Sequence, residues 1–266
     1  MGSVAQRIAQ VRAEGRAALV GYLPVGFPTV DGSVEAMRAM VDGGVDVVEV
    51  GLPYSDPLMD GPVIQRATQT ALDNGARTRD AFTAVRGVAD AGAPAVVMTY
   101  WNLIDRYGVD RFAADLAAAG GSGLITPDLL PDDCADWLAA SEDHDLDRIF
   151  LVAQTSGAER LKLTADASRG FLYAASLMGV TGVNSIGVEA RDLVGRVREV
   201  APPSLPVCVG LGVRTAEQAA DVAAYADGVI VGTAFVQALE SGGPAAVHDL
   251  AAELAAGVRS ASAVGA

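Results

Sequence analysis

Short apolar runs bounded by Gly, Pro or Asp recur along the chain at 17–24, 45–52, 95–100, 123–127, 148–152, 170–175, 206–210 and 228–231. Runs this short, apolar on successive residues rather than alternate ones, fit strands covered on both faces. Between them lie Ala-rich stretches whose apolar residues recur at helical spacing, among them 33–41, 79–91, 109–119, 132–140, 158–167 and 216–224. Residues 4–13, with Arg7 and Arg12, have the same spacing and predict an opening helix ahead of the first strand. Eight strands separated by helices define an α/β chain, and the count is that of a (β/α)8 TIM barrel. An open doubly wound sheet is the competing arrangement. It would carry a glycine-rich dinucleotide turn after the first strand, and Gly21-Tyr-Leu-Pro-Val-Gly26 is not that pattern. No linker or repeat divides the chain. The expectation is one domain over 1–266, with an N-terminal helix within 1–14 and a frayed tail at 260–266.

Composition narrows the partners. The 266 residues are 51% hydrophobic but only 5% aromatic, so Ala, Val and Leu fill the core. With 19 basic and 33 acidic residues the net charge is −14. That balance argues against nucleic acid or an anionic membrane as a partner, while leaving an anionic substrate open to binding by backbone amides. Cys134 and Cys208 stand alone, and no secretory leader or apolar stretch of about 20 residues is present. A cytoplasmic protein is expected.

In such barrels chemistry gathers at the C-terminal ends of the strands. Three glycine turns follow strands six, seven and eight: Gly179-Val-Thr-Gly182, Gly210-Leu-Gly212 and Gly232-Thr-Ala. Each glycine alone suits a tight turn. Together, with 233–240 placed as a short extra helix after strand eight, these turns, Gly210 among them, predict a phosphate site.

Strand two, Val45-Asp-Val-Val-Glu49-Val-Gly-Leu-Pro53, carries Glu49 within an apolar run that holds no arginine to pair with it. Burial without a partner raises a carboxyl's pKa and makes it a general acid near neutral pH. The following loop, Leu52-Pro-Tyr-Ser-Asp56-Pro-Leu-Met-Asp60-Gly-Pro62, adds two carboxylates. Asp56 before Pro57 suits turn chemistry as well as catalysis, and Asp60 before Gly61 can fold back over the strand end.

Elimination restricts the reaction further. Lys162 is the only lysine and falls in a helix after strand five, away from where a Schiff-base lysine would sit. The only histidines, His144 and His248, lie in or near helices, so no metal-aldolase cluster is expected. What remains is metal-free acid–base chemistry by carboxylates on a phosphorylated substrate.

The run from Val48 to Gln65 closely resembles the signature of tryptophan synthase alpha subunits. The resemblance continues through Met98-Thr-Tyr-Trp-Asn102, Gly123-Leu-Ile-Thr-Pro-Asp-Leu129, Ile149-Phe-Leu-Val-Ala153, Met178-Gly-Val-Thr-Gly182 and Gly210-Leu-Gly-Val213, essentially the whole chain. It implies retro-aldol cleavage of indole-3-glycerol phosphate to indole and glyceraldehyde 3-phosphate. By resemblance, Glu49 protonates the ring carbon and accepts the side-chain hydroxyl proton, and Asp60 holds the indole N–H. Tyr22, Ile64, Tyr100 and Tyr173 wall the pocket, positions that plain barrel packing would also fill. The resemblance also implies that backbone amides at Gly182, Gly212, Gly232 and Thr233 hold the phosphate and that Thr181 closes a loop against Asp60. The family also implies a beta subunit carrying pyridoxal phosphate, with none on this chain, an alpha2beta2 assembly, and Asp56 and Pro57 at the interface.

The chain departs from the family pattern at 183–191, a loop without the usual early arginine, at Thr233 for serine and at Gln154 for proline. The first departure leaves room for a stand-alone indole-3-glycerol-phosphate lyase. A catalytically inactive alpha-like regulatory subunit is the third reading, against which the presence of both Glu49 and Asp60 argues.

Overall fold

A computed structural model describes residues 4–57, 59–175, 183–210 and 212–261, with the side chains of 183–186 left aside. Eight parallel strands close into a barrel in sequence order: β1 Ala18–Pro24, β2 Val47–Gly51, β3 Ala95–Met98, β4 Gly123–Thr126, β5 Asp147–Val152, β6 Leu172–Ala175, β7 Val207–Gly210 and β8 Gly228–Val231. β8 pairs back onto β1 through Ala18 and Gly228, leaving no open edge.

The helices are α1 Val4–Ala13, α2 Val30–Asp42, α3 Pro62–Asp73, α4 Asp80–Asp90, α5 Trp101–Tyr107, α6 Val109–Ala118, α7 Ala135–Asp143, α8 Ala158–Ala167, α9 Val183–Val200, α10 Ala216–Ala223 and α11 Thr233–Ser260. Two expectations change. The stretch 132–140 is not one helix: a 3-10 turn, Pro131–Asp133, precedes α7, and Cys134 at φ −116° separates them. The stretch 183–191, read as a loop, is the start of α9, which buries Ala190, Leu193, Val194 and Val197 at helical spacing. The short helix expected after β8 is present as the first limb of α11, which breaks at Gly243 (φ 65°, ψ −160°), just before Pro244, and then resumes to Ser260. No helix among the described residues is long and apolar enough to cross a membrane.

One end of the barrel is sealed. Val4, Ile8 and Val11 of α1 are fully buried against the inward-facing Ala18, Val20, Val47, Val96, Ile125, Ile149, Phe171, Cys208 and Ile230. Three aspartates at the N-terminal ends of strands pin α1 there. Asp46 accepts from Arg7 at 2.7 Å, Asp147 accepts the Val4 N–H at 2.9 Å, and Asp227 lies 3.5 Å from Arg12. Each also holds the barrel itself: Asp46 bonds the Leu19 N–H and Arg16, Asp147 bonds Arg169, and Asp227 bonds the Val207 N–H. With α1 filling the barrel's interior at this end, the C-terminal ends of the strands are where a barrel of this kind offers room for a substrate.

Candidate active site

Glu49 points into that open end. It is 1% exposed, and its Oε1 is one of three buried side-chain polar atoms without a hydrogen-bond partner among the described residues; the others belong to Thr126 and Tyr225. Burial lifts the Glu49 carboxyl to about 8 from its ordinary value of 4.5. A carboxyl in that state carries its proton at neutral pH.

Tyr22 stands beside Glu49 in the β1–β2 register. Its phenol is pushed well above its usual range, first by burial, then by the charges of Asp60 and Glu49. Tyr173 is pushed the same way, by burial and then by Glu49, Cys208 and Asp60. The two carboxyls and two phenols thus lie close enough to act on one another, although they come from three strands and a loop. Glycines on the neighbouring strands make space for both rings. A Cβ on Gly51 would lie 2.4 Å from the Tyr22 hydroxyl, and one on Gly210 would lie 2.5 Å from the Tyr173 hydroxyl. Gly210, from a turn expected to bind phosphate, also makes room for the Tyr173 ring.

Asp60 is half-buried, and burial raises its carboxyl too. The loop that carries it is tied to β3: the Met59 N–H donates to the Tyr100 hydroxyl at 2.9 Å, and Tyr54 stacks on the Tyr100 ring with centroids 4.9 Å apart. Ile64, in the first turn of α3, approaches Gly232 beside Tyr22. Asp56 and Pro57 lie further out on the loop, where Asp56 is exposed and accepts from Ser55.

Gly232 and Thr233 begin α11, whose N-terminus no side chain caps, and Gly212 follows β7 with φ +70°. The first turn of a helix leaves N–H groups without intrahelical partners, and here that turn begins directly after β8. Thr181 and Gly182 lie outside the described residues. His144 caps the end of α7, 3.4 Å from Asp110, while His248 sits in α11 and Lys162 pairs with Asp166 on α8. All three are away from the strand tops.

Sequence reading missed Tyr54, Asp128 and the role of Gln154. Asp128 accepts the Trp101 N–H at 2.9 Å, and Gln154 donates to the Glu189 carbonyl, tying the loop after β5 to α9. Tyr54 and Asp128 lie inside recognisable motifs, yet nothing in a linear motif says which ring or amide each meets across the barrel.

The fold and these side chains define a (β/α)8 barrel with two carboxyls of raised pKa, Glu49 and Asp60, towards the C-terminal ends of its strands. The family model for the tryptophan synthase alpha chain matches residues 8–263. The tryptophan synthase alpha chain of Mycobacterium marinum is 63% identical over 249 residues, covering 93% of this chain and 91% of the relative. That of Acidothermus cellulolyticus is 59% identical over 269 residues, covering both completely. A crystal structure of tryptophan synthase from M. tuberculosis superimposes with a TM-score of 0.91 at 57% identity, over 97% of this chain and 100% of that one. The alpha subunit from Legionella pneumophila does so at 0.87 and 31% identity, over 97% and 99%. The chain belongs to the tryptophan synthase alpha chain family, and is an enzyme subunit of tryptophan biosynthesis.

Proposed function

We propose that the chain is a carbon–carbon lyase that cleaves indole-3-glycerol phosphate to indole and glyceraldehyde 3-phosphate, with neither a metal nor a Schiff base. The observation that carries this reading is Glu49: a buried carboxyl with one oxygen unpartnered among the described residues, held protonated at neutral pH towards the C-terminal end of the barrel. Glu49 donates that proton to the ring carbon bearing the glycerol chain, which leaves the positive charge on the ring nitrogen. Asp60 holds the N–H and stabilises that charge. The adjacent side-chain hydroxyl then returns a proton to Glu49 as its carbonyl forms. The breaking bond's electrons re-form the ring double bond, and the ring nitrogen recovers its lone pair. Proton donated and proton regained balance on one carboxyl.

Tyr22, Ile64, Tyr100 and Tyr173 wall the indole and glycerol part of the site. The uncapped N-terminus of α11 at Gly232 and Thr233, with Gly212 and Gly182, takes the phosphate through backbone amides, and Thr181 closes towards Asp60. The chain uses no cofactor of its own. It works in the cytoplasm beside a beta subunit that carries pyridoxal phosphate and receives the indole, in an alpha2beta2 assembly with Asp56 and Pro57 at the contact.

The test is steady-state indole release by the purified chain, alone and with the beta subunit. A slow rate, raised by the partner and abolished in Glu49→Gln, is the expected result, with Asp60→Asn strongly reduced. A fast rate without a partner would replace this reading with a stand-alone lyase. No indole under either condition, with the substrate intact, would leave a regulatory subunit.

A further inference from the structure

The Asp60 carboxylate accepts no hydrogen bond from any described residue, so its place in the pocket is set by the backbone on either side. After it, the Asp60 carbonyl accepts from Gln65 Nε2 at 2.8 Å. Before it, the Met59 N–H donates to the Tyr100 hydroxyl at 2.9 Å. The Tyr100 ring meets the same loop a second time, stacked on Tyr54 with an interplanar angle of 29°. One buried side chain therefore grips the loop at two points that bracket Asp56 and sit next to Asp60.

Tyr100 is itself firmly placed. It is 7% exposed and forms the N-cap of α5. The next amide, Trp101 N–H, donates to both oxygens of Asp128 at 2.9 and 3.1 Å. Asp128 follows β4, Tyr100 follows β3 and the Asp60 loop follows β2, so three successive strand ends are linked in a chain. We propose that Tyr100 is a positioning residue as well as a wall: its hydroxyl, through the Met59 N–H, fixes where the Asp60 carboxylate stands over the substrate. This rests on the lyase reading above and adds to it the means by which a carboxylate on a loop is held as rigidly as one on a strand.

Tyr100→Phe is the informative variant, because it keeps the ring, the stack and the wall and removes one hydroxyl. Indole release with the beta subunit present should show kcat lowered about tenfold, the scale of one lost hydrogen bond, and KM changed less than about twofold. In an Asp60→Asn background the same substitution should cost less than about twofold, because the group being positioned is already gone. In parallel, hydrogen–deuterium exchange on the purified chain should show the Met59 amide protected in the wild type and exposed in Tyr100→Phe. Full activity in Tyr100→Phe would overturn the proposal. So would an equal loss in both backgrounds, which would mean that the hydroxyl touches the substrate directly. If the wild type releases no indole, the lyase reading fails and exchange alone decides: unchanged protection at Met59 would then refute the positioning role.

Discussion

Glu49 sits between conflicting demands, since a carboxyl inside an apolar barrel is costly when ionised and useful when protonated. Its ionisation should register in stability. An unfolded glutamate ionises near 4.5, the folded one at about 8. Between these values the native state keeps a proton that the unfolded chain has released, so stability falls as pH rises across that window, and the loss is complete above it. Glu49→Gln should therefore be more stable than the wild type at pH 9 by on the order of a few kcal/mol, and no more stable at pH 4. Urea midpoints at the two pH values measure this, and an equal gain at both would refute a raised carboxyl. Gly51 is governed by space instead. With a Cβ there 2.4 Å from the Tyr22 hydroxyl, Gly51→Ala should displace the ring, costing about 1–3 kcal/mol of stability and much of the activity. A thermal melt with the indole assay reads both, and an unperturbed variant would mean that Tyr22 has room to move.

At the scale of elements, α1 acts as a plug rather than a decoration. Its apolar face completes the barrel's interior, while Arg7, Arg12 and the Val4 amide reach aspartates on three strands. Asp46→Ala would strand Arg16 and free the Leu19 amide at once, with an expected loss of about 3–5 kcal/mol in urea unfolding. A change under about 1 kcal/mol would show that the clamp is dispensable. Elements were also where sequence reading worked best. All eight strands were legible because parallel strands covered on both faces give short apolar blocks. Residues 183–191 carried little helical signal of their own, because most of the apolar residues that α9 buries, Leu193, Val194 and Val197, lie beyond them. The split at Cys134 had no signal in pattern, since a single non-helical residue leaves the apolar spacing intact.

Over the whole molecule, binding should appear as added stability. A product occupying the open end at a hundred times its Kd adds about 2.7 kcal/mol if it binds only the folded state. Glyceraldehyde 3-phosphate should thus raise the thermal midpoint of the wild type, and less so when a side chain crowds the α11 N-terminus, as in Gly232→Val; equal rises would place the phosphate elsewhere. The sequence by itself determined the barrel, the strand on which Glu49 lies, and the family, because period, spacing and motif are properties of the chain in order. Only the tertiary structure decided that Glu49 Oε1 has no hydrogen-bond partner among the described residues, that Gly51 and Gly210 make room for tyrosines on other strands, and that Tyr100 holds the loop of Asp60. Those relations join residues far apart in sequence, and closure of the barrel alone brings them within reach.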